Sequence, residues 1–230
     1  LMVVLATKCY VEGAARERTL DSLDSLLADD LDDLAVSYDV GIRDDGFPSV
    51  TIEGEDAAVA RNVLGERWGV ITPHFSDGDR YVGTLESWDD DGFVLDAGRD
   101  VTIPAENLGL GPGSPEQIRT RFGLVQHVPL EFVFEADRGP EGVPIGRLAE
   151  TQQDRLFDWQ RGQGRVNVNS ATRAEVRATI NRAGHARDIV TVERLGLLEQ
   201  SVICGEQTDP PGLLASIGEY LPAELLAVVP

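Results

Sequence analysis

The chain of 230 residues has one lysine, Lys8, and takes its other basic side chains from arginine. Against these 20 bases stand 40 acids, for a net charge of −20. A lysine stem is costly to hydrate when salt competes for water, whereas carboxylates make a compact, strongly hydrated surface. This balance predicts adaptation to molar salt. The acids are spread through apolar-periodic segments, which argues against a disordered acidic tail. The runs Asp29-Asp30-Leu31-Asp32-Asp33 and Asp89-Asp90-Asp91 read as solvated faces.

Cysteine is nearly as scarce. Cys9 and Cys204 stand far apart, which excludes a disulfide framework and any Cys-x-x-Cys metal motif. No pair among His74, His127 and His185 has zinc-ligand spacing. No apolar run approaches the ~20 residues that span a bilayer. The run Leu1 to Ala6 is too short for a signal peptide's apolar region and leads into polar Thr7 and Lys8. A cytoplasmic protein without a membrane partner is therefore expected. Gly109-Leu110-Gly111-Pro112-Gly113 lacks the lysine and the helix start of a phosphate-cradling loop, and no Gly-x-Ser-x-Gly occurs. Among so many carboxylates, any acid/base pair is uninformative. His185 reads as a turn or cap residue. No catalytic constellation, cofactor site or metal site emerges, so a non-enzymatic protein is expected.

What is present predicts a multi-domain α+β chain. Residues 1–70 read as a small α/β sandwich. Leu20, Leu23, Leu27, Leu31 and Leu34 recur at helical spacing, Val36 to Val40 alternates, Asp44-Asp45-Gly46 turns, and Ser49 to Glu53 alternates again. A helix over 55–68 completes a βαββα order with helices on one face of a sheet. Residues 71–135 hold short, evenly spaced strands at 80–87, 92–97, 101–103 and 128–134, which predicts a small β-barrel. Residues 108–115 read as a loop and 136–150 as an interdomain linker. Residues 151–230 read as an Arg-rich α+β domain.

Charge is unevenly divided. Residues 1–72 carry −9, residues 73–137 carry −9, and residues 138–230 carry −2. Between Arg155 and Arg194 there is a net charge of +4. In this island Thr172-x-x-Glu175 is a capping box, and Arg173 and Arg177 share a helix face. Asp188 is expected to cap a second helix carrying Ile189, Val192, Leu195 and Leu198 inward. Pro210 and Pro211 open a last helix, and 225–229 reads as a closing strand.

Four resemblances follow. Gly78-Asp79-Arg80-Tyr81-Val82-Gly83-Thr84-Leu85, then Gly92-Phe93-Val94-Leu95-Asp96, then Val101 with Ile103-Pro104 resembles an OB-fold RNA-binding barrel of the ribosomal-protein type. Such a barrel implies a stacking platform for single strands, here Tyr81, Trp88 and Phe93. Asp89, Asp90 and Asp91 depart from it, because basic side chains belong there. The helix-turn-helix order ahead of Leu195-Gly196-Leu197-Leu198-Glu199 resembles winged helix-turn-helix domains, and Val166 to Thr172 resembles helix-hairpin-helix openings without their Gly-x-Gly. The whole chain resembles an archaeal family catalogued as domain of unknown function 2110, in its halophilic branch. Gly83-Thr84-Leu85-Glu86-Ser87-Trp88 with Gly92-Phe93-Val94-Leu95-Asp96, Gly164 to Thr172 and Thr208-Asp209-Pro210-Pro211-Gly212-Leu213-Leu214 carry that resemblance. It implies archaeal origin and transfers no functional residue.

The expected function is nucleic-acid binding, RNA favoured, in the service of translation or transcription. Arg165, Arg173, Arg177, Arg182, Arg187 and Arg194 are the expected contacts, with Tyr81, Trp88 and Phe93. The alternative is an accessory subunit whose arginines dock on an acidic protein partner. A further alternative is that these arginines pair with the acidic face of another domain.

Overall fold

The computed structural model describes residues 1–135 and 142–230. It is a mixed α+β fold in three units, each built on one antiparallel sheet. The first unit runs β1 (Met2–Val4), α1 (Gly13–Asp30), β2 (Val36–Ile42), β3 (Pro48–Gly54) and α2 (Ala57–Trp68). Its sheet has the order β1-β3-β2. Alternation does the sorting: Val50 and Ile52 of β3 are buried, while Thr51 and Glu53 face water. Leu23 and Leu27 of α1 and Ala60 and Leu64 of α2 pack on that one buried face. The βαββα expectation holds.

The central unit contains β4 (Arg80–Asp89), β5 (Gly92–Asp96), β6 (Asp100–Pro104), α3 (Pro115–Phe122), β7 (Pro129–Phe134), β8 (Gly146–Leu148) and α4 (Glu150–Arg161). The sheet order is β6-β5-β4-β7-β8. The expected barrel does not close. Its edge strands meet at one parallel bridge, Thr102 to Ile145, where the Thr102 N–H donates to the Pro144 carbonyl at 2.9 Å. β8 is three residues long and cannot cover the five of β6. Of the expected linker, residues 136–141 lie outside the described residues, whereas Gly146–Leu148 is a strand paired with β7. α3 starts where a loop was expected to end. Ser114 and Gln117 form a full capping box, and Pro115 takes the first turn, where a missing N–H costs nothing. α4 buries Leu156 and Trp159 in the central cluster.

The third unit holds β9 (Arg165–Val168), α5 (Arg173–Arg182), β10 (Ile189–Arg194), β11 (Gln200–Cys204), α6 (Pro210–Gly218) and β12 (Leu225–Val228), with sheet order β10-β11-β9-β12. Thr172 and Glu175 form the expected capping box on α5. The helix-turn-helix expectation is overturned, because the second helix is strand β10. Ile189-Val190-Thr191-Val192 is a β-branched run, and β10 pairs with β11 from Ile189↔Cys204 to Arg194↔Gln200. A bulge between Ile189 and Thr191 breaks the period of two. Ile189 and Val192 therefore fall three apart, which imitates a helix in the sequence. Arg187 and Arg194 do not share a reading helix.

The β10–β11 connection reaches across unit boundaries. Leu197 and Leu198 are buried in the core of the first unit with Leu23, Val50 and Trp68. Truncating such a side chain costs about 2–5 kcal/mol through lost transfer energy and the cavity left behind. Leu198→Ala should lower stability in this range. In urea denaturation it should weaken the first and third units together, so tryptophan fluorescence and far-UV circular dichroism should shift by the same amount.

Candidate functional site

The three units meet at two features, a buried polar junction and an open groove. In the junction the Tyr10 hydroxyl donates to Glu199 Oε2 at 2.6 Å and accepts the Ser170 N–H at 2.9 Å. Thr7 Oγ1 accepts the Leu197 N–H at 2.8 Å. Lys8 pairs with Glu86 and, at 2.8 Å, with Asp96. Nδ1 of His127 stands 2.7 Å from Glu86, and its ring lies 3.9 Å from that of Tyr10.

Glu199 is fully buried, and its Oε1 has no hydrogen-bond partner among the described residues. Burial, with Glu86 nearby, outweighs the hydrogen bond from Tyr10 and raises its carboxyl to about 8. A neutral carboxylic acid is therefore locked into the junction at pH 7. Glu86 goes the other way: burial opposes its charge, but hydrogen bonds from His127 and Lys8 win and hold it down to about 2. Tyr10 is raised first by burial and then by Glu199. His127 thus stands beside a carboxylate, yet none of Tyr10, Glu86, His127 and Glu199 lines the groove. The junction fastens the units together.

The groove has a volume of about 650 Å3. The first unit contributes Arg67 and the last turn of α2, the central unit contributes Glu131 and Arg155, and the third contributes Arg194, Leu195 and Gly196. Arg67 pairs with Asp30 at 3.1 Å, an acid that also accepts the Trp68 indole N–H. Arg155 pairs with Glu193 at 3.2 Å. Arg194 is half-buried and makes no ion pair or side-chain hydrogen bond among the described residues. Burial, then the nearness of Arg173 and Arg67, pulls its guanidinium below its ordinary value, with Asp30 opposing. An unpaired half-buried cation beside other arginines, in a chain of −20, is a place where an anion would relieve both desolvation and repulsion.

A second groove, about 480 Å3, adjoins the first. It is lined by Arg61, Arg80 and Tyr81, and shares Gly65, Glu66, Gly69, Val82 and Glu131 with its neighbour.

The expected site residues scatter. Arg194 lines the first groove and Tyr81 the second. Arg173 stands near Arg194 and donates Nε–H to the Val192 carbonyl at 2.6 Å, and Arg177 reaches the Thr191 hydroxyl at 3.4 Å. Arg165 pairs inward with Glu193 at 3.2 Å and lies over Trp159. Arg182 and Arg187 are exposed and line neither groove. The three-aromatic platform does not exist. Phe93 is wholly buried in the central core. Trp88 is covered by the Arg119 guanidinium at 3.9 Å, which is itself held by Glu116 and Glu224. Arg67 and Arg61 were not expected: both lie on α2 of the acidic first unit, far in sequence from the basic run at 155–194. The Tyr10–Glu199 contact joins residues 189 apart and has no local signature at all. Pairing with other domains accounts for few of the arginines, Arg18 with Glu175 at 2.8 Å being one case.

Among the described residues no cluster of three His, Cys, Asp or Glu could hold a metal ion, and no helix is long and apolar enough to cross a membrane.

The junction carries a pH dependence of known sign. Glu199, raised on folding, contributes stability that is fully present below about 4.5 and lost as pH rises through about 8. Glu86, depressed on folding, contributes stability present above about 4.5 and lost as pH falls towards about 2. The melting temperature should therefore fall as the pH is raised through 8. Glu199→Gln should flatten that alkaline limb and leave the acid limb in place, as read by scanning calorimetry across pH.

Family models match the chain end to end. Residues 2–74 match the DUF2110 N-terminal domain, residues 75–160 the DUF2110 central domain, and residues 163–229 the DUF2110 C-terminal domain. No curated protein matches it.

Proposed function

We propose one function for this chain, which belongs to the DUF2110 family over all three of its domains: it is a non-enzymatic RNA-binding protein of the cytoplasm of a halophilic archaeon, accessory to translation or transcription. Its ligand lies in the groove where the three domains meet. The observation that carries this reading is Arg194, half-buried and unpaired among the described residues, with Arg67 and Arg155 beside it in the same groove.

Arginine's planar fork suits phosphate oxygens, and a partly buried fork strengthens each contact. This matters in strong salt. At 1 M the Debye length is about 3 Å, and counterion release yields little affinity. An exposed basic patch is ineffective there, whereas a shaped groove that takes phosphates at contact distance still works. The order of the central sheet adds support. Numbered within that unit, its strands lie 3-2-1-4-5, with a helix between the third and fourth and one parallel bridge between the edges. This order supports reading the unit as a partly open five-stranded barrel of the OB type. The turn between its first two strands carries Asp89, Asp90 and Asp91, which turns phosphate away from that end and favours the interdomain groove.

The test uses fluorescence anisotropy with a labelled RNA of about sixteen nucleotides in molar KCl. The full chain should bind. Arg194→Gln removes a repelled, partly desolvated charge, so its melting temperature should equal or exceed that of the parent while binding weakens at least tenfold. Two results sink the reading: a folded Arg194→Gln variant with parental affinity, or polyglutamate binding the parent where RNA does not.

A further inference from the structure

We infer that the groove holds a phosphate between two donors of different kinds, the Arg194 guanidinium and the side-chain amide of Gln152. The identity of the ligand rests on the RNA reading, which this deepens: the groove then takes the backbone of the strand. Gln152 is 6 % exposed, yet it lines the groove together with Arg155, three residues further along α4. Its place is set by the edge of β7. Strand β8 stops at Leu148, so the backbone of Glu131 has no strand beside it on that side. The Ala149 N–H donates to the Glu131 carbonyl at 3.0 Å, and Gln152 Oε1 accepts the Glu131 N–H at 3.0 Å. The Gln152 side chain thus stands in for the next residue of the missing strand.

That bond fixes which way the amide faces. A backbone N–H can only donate, so the atom turned towards it is the oxygen, and the nitrogen is turned away. Nε2 has no hydrogen-bond partner among the described residues, and it is not sealed off from the groove that its residue lines. Two N–H donors on a side chain already held in place are therefore left over at the groove wall. Such donors gain most from an acceptor that carries charge. Gln152 also lies in the first turn of α4, where Ala149 offers no side-chain cap, so the positive end of that helix favours an anion. Glu193 is shared between Arg155 and Arg165 at 3.2 Å each, which leaves one positive charge over. Two carboxylates line the groove as well. Glu131 is taken up by the Thr151 hydroxyl at 2.8 Å and by Arg80 at 3.6 Å, and Glu66 is exposed to solvent. A phosphodiester has two unesterified oxygens, one for each donor, and its charge answers Arg194. A base edge or a ribose hydroxyl brings no charge for Arg194 to meet.

The experiment measures, by titration calorimetry on the full chain in molar KCl, the binding of inorganic tripolyphosphate and of an RNA of about sixteen nucleotides. The parent should bind both. Gln152→Met keeps the length and the neutrality of the side chain and removes the donor, so both probes should bind about tenfold more weakly or worse. Gln152→Glu keeps an oxygen for the Glu131 N–H and puts a second oxygen where Nε2 stood, so it should weaken both probes further. Melting temperatures show which variants are folded, and either one, if folded, decides the matter. Parental affinity for tripolyphosphate in a folded variant overturns the inference. So does a loss confined to RNA, which makes Gln152 a reader of base or sugar, and so does a parent that binds RNA and no tripolyphosphate. In these cases the RNA reading survives as long as Arg194→Gln still weakens RNA. A parent that binds tripolyphosphate and no RNA overturns the RNA reading and leaves the phosphate seat standing. A parent that binds neither overturns both.

Discussion

The structure hangs on the insertion of one short connection into a foreign core. The five residues between β10 and β11 leave their own sheet and bury Leu197 and Leu198 among the leucines of α1 and α2. That placement strands the Leu197 N–H and the Glu199 carboxyl away from water, and buried polar groups must find partners. Thr7 and Tyr10 supply them from the first unit. Once this connection is seated, Arg194 and Gly196 at its edge must face α2, so the groove is a product of domain docking and belongs to no single domain.

Charge follows the same logic. Several of the chain's few bases hold the units together or face the groove. Its one lysine sits at the boundary of the first two units, with Glu86 and Asp96 on it and the Phe47 ring 4.9 Å away. Arg119 joins the central unit to Glu224 of the third. Glu193 satisfies both Arg155 and Arg165. What remains is a surplus at Arg194, next to Arg173 and Arg67.

Local order was legible in the sequence wherever one rule governed it. The alternation of 36–40 and 49–53, the Thr172–Glu175 box and the paired prolines at 210–211 all place their elements correctly. Where two signals overlap, the reading fails. The bulge in β10 copies a helical period, and the Gly/Pro-rich stretch before Pro115 masks the capping box of α3. The site was half legible. Arg194 stands out as part of a basic run, whereas Arg67 and Arg61 become neighbours of that run only through docking. Phe93 and Trp88 have the composition of a stacking platform, but one is core and the other is roofed by Arg119. Contacts made across most of the chain's length leave no trace at short range.

The lone lysine has a consequence of another kind. Its ammonium group is largely covered and is tied to two carboxylates of the neighbouring unit. Acylation at Nζ needs a free, neutral amine, so it must wait for that boundary to part. With no second lysine to compete, the labelling rate at Lys8, read by peptide mapping apart from the α-amine, becomes a clock for how often the first domain lifts away from the second.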